Sequence, residues 1–149
     1  SVRETAAYVL VQIAGCCAAA WLVHVMFEMP LLQVSMRERS GISQWLAEFV
    51  ATFRLLFVIL GCPRDRNPAW LVAAWIGAAY WFTSSTSFAN PAISIGRSLS
   101  DTFAGIRPAN VPMFVLAQIL GAFGALALSR VIFASPQRDL PAARSGVLP

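Results

Sequence analysis

A chain of 149 residues that is 58% hydrophobic and only 12% charged, with a mean hydropathy of +0.66, is too apolar for one soluble domain. Its apolar residues come in long blocks, which makes it an all-α, polytopic membrane protein. All eleven basic residues are arginine and the net charge is +4; with no basic stripe interleaved with exposed aromatics, this charge bears on topology and lipid headgroups and argues against a nucleic-acid partner.

The first apolar block, Ala6 to Phe27, is about 22 residues long, enough to span roughly 30 Å at 1.5 Å per residue. Gly15, Ala18, Ala19 and Ala20 give it a small-residue face for close helix approach. His24, with no metal or proton partner in view, reads as an interfacial or packing histidine. Cys16, Cys17 and Cys62 have no metal or redox spacing and read as small buried hydrophobes. Ser1-Val2-Arg3-Glu4 does not resemble a signal peptide.

Pro30 ends the first helix, and Arg37-Glu38-Arg39 marks a water-exposed connection over Met29 to Gly41. A second span, Ile42 to Gly61, carries Glu48 and Arg54, ionisable residues that are costly in hydrocarbon unless they face the interior or a partner. Six residues of helix set them about 240° apart, so they do not pair. Glu48 is expected to accept backbone N–H groups from an irregular re-entrant segment. For Arg54 two roles stay open, lining a polar pathway or reaching a carbonyl or headgroup.

After the turn Cys62 to Asn67, a third block runs from Pro68 to Phe82. Its start, Asn67-Pro68-Ala69, follows charged residues and precedes an apolar run, as an ordinary helix start at the membrane surface does. A second triplet, Asn90-Pro91-Ala92, lies in a different setting, the segment Thr83 to Asp101. That segment is too polar to cross a bilayer and too apolar at its edges for an ordinary loop. Asn90 suits an N-cap and Pro91 the first helical position, which predicts a re-entrant half-helix over about 90–101 with its positive dipole end at the membrane midplane. Gly105 to Pro108 returns the chain to the surface, and a last span covers Val111 to Phe133. Residues Ser135 to Pro149 read as a disordered tail.

The first and last helices repeat one another. YVLVQIAGCCAA from Tyr8 aligns with FVLAQILGAFGA from Phe114, matching Gln12 to Gln118 and Gly15 to Gly121. The chain thus has two homologous halves, the second whole and the first represented by its final helix. The same order in both halves predicts another re-entrant triplet about 16 residues upstream of Ser1, hence an N-terminal truncation or incomplete product.

Ser87 to Ala92 (SFANPA), Glu48 early in its helix, and the Gln118-x-x-Gly121 helix together resemble the C-terminal two-thirds of an aquaporin, in the major intrinsic protein family. The likeness extends over Ala6 to about Phe133, and the run NPAISIGRSLSDTFAGI resembles bacterial aquaporins encoded beside arsenic-resistance genes. The resemblance implies an aquaporin-like bundle, here four spanning helices and one half-helix, conducting small neutral solutes down their gradient. It implies a pore triplet of Asn90, Pro91 and Ala92, cytoplasmic termini, a re-entrant loop over residues 83–110 entering from outside, and a homotetramer when full length. It also places the protein in the bacterial inner membrane. Arginine placement leans the same way, six inside against four outside.

Most aquaporins carry an arginine directly after the triplet; here the residue is Ile93. Two other filter positions transfer by spacing to Ala78 and Ser87. Ala78, Ser87 and Ile93 would make a wide, mostly apolar constriction passing solutes bulkier than water. The resemblance implies neutral metalloid acids such as arsenite as substrates, with glycerol-like solutes and water as the broader expectation. Arg97, one turn beyond Ile93, either restores positive charge at the outer vestibule or pairs with Asp101 to hold the loop. A coupled transporter and a non-conducting scaffold of the same fold are the alternatives to a passive channel. No catalytic constellation, metal site or cofactor motif is present in the sequence.

Overall fold

A computed structural model describes residues 1–63 and 65–133; the expected tail over 135–149 lies outside them. The described residues are helical, with no strand: α1 (Val2–Met26), α2 (Ile42–Gly61), α3 (Ala69–Phe82), α4 (Pro91–Arg97), a 3-10 turn (Pro108–Asn110) and α5 (Val111–Ile132). Three helices, α1, α2 and α5 together with the 3-10 turn before it, are long and apolar enough to cross a membrane.

The third block, expected as a near-spanning run over Pro68 to Phe82, is α3 with 14 residues, a rise of about 21 Å against a hydrocarbon core of roughly 30 Å. It starts where the Asn67 side chain accepts the Ala69 N–H at 2.9 Å, and it stops at Thr83, whose hydroxyl donates to the Ala79 carbonyl at 2.7 Å as the backbone turns extended. One expected boundary differs: the half-helix is shorter than 90–101, ending at Arg97. Ser98 is the reason: its hydroxyl donates to the Ile95 carbonyl at 2.7 Å, and the next N–H groups tighten into three-residue turns. The Arg97 carbonyl is left to accept from Ser100 and Ile106.

Small residues set the packing at Gly121 and Gly96, but not at Gly15, where an added Cβ would meet nothing within 4 Å. A Cβ added at Gly121 would lie 2.5 Å from the Phe49 carbonyl, so α5 seats its backbone directly on α2. Beside that seam Phe49, Phe53 and Phe57 stack with centroids 6.0 Å apart, and Phe133 closes the row. At Gly96 an added Cβ would meet the Cys16 backbone and Cβ at about 2.9 Å, which docks α4 on α1. The cysteines are half-buried, not fully buried as expected.

His24 is the one buried residue of α1 and makes packing bonds at both nitrogens, to the Leu31 carbonyl at 2.9 Å and the Ser100 hydroxyl at 3.0 Å. A core of Phe88, Ile106 and Phe114, flanked by Trp45, Ile93 and Val111, lies between α2, α5 and the segment leading into α4. The connection over 29–41 is zipped to the loop after α4: Ser35 N–H to the Ser98 carbonyl, Met36 N–H to the Asp101 carboxylate, and Arg107 N–H to the Arg37 carbonyl.

Candidate functional site

The segment before α4 is irregular in a specific way. Thr86, Ser87 and Ala89 have φ of 61°, 48° and 51°, the left-handed region that non-glycine residues, and β-branched threonine above all, seldom enter. Such backbone needs external support, and α2 supplies it. Glu48, fully buried, accepts the Phe88 N–H at 2.8 Å on one carboxylate oxygen and the Ala89 N–H at 2.9 Å on the other. Gln118 of α5 donates its amide to the same carboxylate at 2.7 Å and to the Ser94 hydroxyl at 3.0 Å. A buried carboxylate is tolerable here because three N–H donors replace its lost water.

That clamp delivers the chain to Asn90 in extended conformation, where the side-chain oxygen accepts the Ala92 N–H at 2.8 Å and Pro91 takes the first helical position. The oxygen being spent on the cap, the Asn90 amide is left as a donor; no protein acceptor meets it among the described residues. Asn90 and Pro91 border a cavity of about 280 Å³ shared with Gln12, Thr52 and Gln118. Further along α4, Ile93, Gly96 and Arg97 border a second, of about 480 Å³, whose other walls include Cys16, Ala20 and Val23 of α1.

The residues expected at a constriction are placed unequally. Ser87 is buried and its hydroxyl has no hydrogen-bond partner among the described residues. Ile93 is half-buried against the cluster of Phe88, the residue that follows Ser87 in the chain. Ala78 is exposed on α3, beside the fully buried Ala79. Arg54 is exposed on α2 with its guanidinium carbon 5.9 Å from the Phe57 ring centroid.

Arg97 and Asp101 form no ion pair: Asp101 accepts from Met36 instead. The Arg97 guanidinium carbon lies 4.3 Å from the Phe88 ring centroid and 5.9 Å from that of Tyr80, with one Nη1 donor 3.4 Å from the Thr86 hydroxyl.

Arg39 was expected in water and is instead 4% exposed. Its guanidinium donates to three carbonyls, Gly105 at 2.7 Å, Phe103 at 2.8 Å and Ser85 at 3.0 Å, and lies 5.2 Å from the Phe88 ring centroid. Burial, with the charges of Arg37 and Arg97 nearby, pushes it down to about 10, still cationic at neutral pH. Nothing in the local charged run separates Arg39 from Arg37; only the long-range fold, which brings three loop carbonyls to it, does so.

No family model matches the chain, and no solved structure matches it. Two curated relatives do. Over 130 residues, 86% of this chain and 56% of the relative, it is 53% identical to Aquaglyceroporin AqpS of Rhizobium meliloti (strain 1021). Over 108 residues, 64% of this chain and 38% of the relative, it is 34% identical to the Glycerol uptake facilitator protein of Pseudomonas aeruginosa. The chain spans about half or less of the length of these relatives. The all-helical architecture, the capped half-helix and these identities agree, and over the matched residues the chain belongs to the aquaporin, or major intrinsic protein, family.

Proposed function

We propose that the protein forms part of a passive channel for small neutral solutes, wider than a water-only pore, with Asn90, Pro91 and Ala92 at its midplane and Ala78, Ser87 and Ile93 at its outer constriction. The observation that carries this reading is the Glu48 clamp on Phe88 and Ala89, which fixes the backbone entering α4 and leaves the Asn90 amide as a free donor over a cavity. A rigid donor at the positive end of a helix favours a hydroxyl oxygen and opposes a cation. The buried, unpartnered Ser87 hydroxyl supports a second solute contact, since a passing hydroxyl satisfies what the protein leaves open.

Ile93 offers no charge and no hydrogen bond at the position after the triplet, which favours solutes bulkier than water: glycerol-like polyols and neutral metalloid acids such as arsenite. The names of the two relatives support the polyol end of this range. The working form is a homotetramer in the bacterial inner membrane, with the loop over 83–110 entered from outside.

Proteoliposome swelling tests the reading. Glycerol flux that ignores proton and sodium gradients is expected of a channel; strict ion dependence would make it a transporter, and absence of flux a scaffold. Ile93→Arg is expected to cut glycerol flux at least fivefold and water flux less; equal effects on both would remove Ile93 from the constriction.

A further inference from the structure

We infer that Arg97 is the charge-selecting residue of this pathway, supplying from one helical turn further out the positive charge that Ile93 does not. The inference rests on the channel reading above and adds to it a specificity determinant. Four observations converge on it.

The first is placement. Arg97 follows Ile93 by four residues on the same face of α4, and both border the cavity of about 480 Å³. The neighbours of its guanidinium, Thr86 and Tyr80, flank the other expected constriction positions, Thr86 adjoining Ser87 and Tyr80 two residues beyond Ala78. The side chain therefore reaches the level where the constriction residues stand. The second is isolation: Arg97 is the one charged side chain among the residues lining that cavity. A unit charge against apolar walls is felt more strongly than the same charge in water.

The third observation is what holds the charge. No carboxylate pairs with Arg97 among the described residues. Asp101 is engaged by Met36, and the oxygens of Glu48 are taken by Phe88, Ala89 and Gln118. Two aromatic rings hold the guanidinium instead, Phe88 at 4.3 Å and Tyr80 at 5.9 Å. An aromatic face stabilises a cation through its quadrupole and leaves the net charge in place, whereas an ion pair would cancel it. The fourth is spare hydrogen-bonding capacity. Of five guanidinium N–H donors one has a protein acceptor, the Thr86 hydroxyl at 3.4 Å. The rest remain available to the oxygens of a neutral solute. Such a group repels cations and orients polyols, and its position above an aliphatic residue keeps the opening wider than an arginine at residue 93 would.

Arg39 is the positioning residue in this arrangement. Bonded to the carbonyls of Ser85, Phe103 and Gly105, it ties down both ends of the loop whose Phe88 ring supports Arg97.

The test is the ratio of methylammonium to glycerol permeability in proteoliposomes, measured for the wild type, Arg97→Gln, Arg97→Lys, and Arg97→Gln combined with Ile93→Arg. Arg97→Gln is expected to raise the ratio at least tenfold. Arg97→Lys is expected to hold it within about threefold of wild type, and the double variant to restore exclusion by returning the cation one turn lower. A wild-type protein that passes neither solute would overturn the channel reading and this inference with it. A conducting wild type whose Arg97→Gln form keeps the same ratio overturns the role of Arg97 alone. If Arg97→Gln loses both fluxes together with thermal stability while Arg97→Lys keeps them, Arg97 holds the fold and selects nothing.

Discussion

Glu48 is a carboxylate inside a membrane helix that makes no ion-pair contact among the described residues, and its tolerance there depends on three N–H groups. Replacing it with glutamine substitutes an NH₂ for one accepting oxygen and sets that NH₂ against a backbone N–H or the Gln118 amide. Charge-assisted bonds contribute about 1.5–3 kcal/mol each, so Glu48→Gln is expected to lower stability by roughly 2–4 kcal/mol, read as the midpoint of thermal unfolding in detergent. Arg39 poses the converse problem, a buried cation serving three carbonyls. Arg39→Met leaves those carbonyls without a donor and is expected to cost about 2–4 kcal/mol. Arg39→Lys is expected to recover less than half, because an ammonium does not reproduce the planar fork. Accelerated proteolysis within residues 98–107 would locate the damage.

Glu38 gives the residue scale its pH dependence. Hydrogen bonds from Asn110, Ser40 and Arg107, in that order of weight, hold its carboxyl below the usual carboxylate range. A lowered folded value means the contact contributes above the ordinary glutamate pKa of about 4.3 and is lost as pH falls through the lowered value. The tie between the connection over 29–41 and Asn110 is therefore expected to hold at neutral pH and to loosen in acid, as pH falls below the ordinary glutamate range. Protection against amide exchange at Arg107 and residues 109–111, taken relative to the intrinsic rate, should show the change, and Glu38→Gln should remove its dependence on acid.

At the scale of elements, two helix contacts, α5 on α2 and α4 on α1, rest on a glycine where backbones meet. Gly121→Ala would put a methyl 2.5 Å from the Phe49 carbonyl, a collision with backbone that side-chain rotation does not relieve. Overpacking of this kind costs typically 1–3 kcal/mol, so the variant is expected to unfold at lower temperature with its helix content intact. Sequence periodicity was enough to place α1, α2 and α5, because long apolar runs have one reading in a bilayer. It overreached at α4, where Ser98 diverts the chain into turns at a point that hydrophobic patterning does not register. The triplet at Asn90 was legible for a local reason, since an N-cap and a following proline act within three residues. Arg39 was not legible, because its acceptors lie between 46 and 66 residues away in sequence.

For the whole molecule, the internal repeat is informative in what differs between its copies. Gln118 is 1% exposed and bonded to Glu48 and Ser94, while its counterpart Gln12 is half-buried on the wall of the Asn90 cavity. The apolar exterior of α1, including Leu10, Leu22 and Val25, suits hydrocarbon or another helix. Multi-pass membrane residence follows from these surfaces and from the family. The solute range does not; on the proposed channel reading it turns on the few side chains that border the two cavities.

Three left-handed residues in four, Thr86, Ser87 and Ala89, leave the approach to α4 with little freedom to rearrange. Each costs of order 1–3 kcal/mol; Ala89 is itself held by Glu48 and Ser87 adjoins the held Phe88, so relaxing either disturbs that grip. Such a segment behaves as a template and not as a hinge. On the channel reading proposed above, a solute that does not match it is refused, because the backbone has no nearby alternative shape to offer. New preferences would then arise by exchanging side chains on a fixed frame, one residue at a time, with the geometry of the opening inherited unchanged.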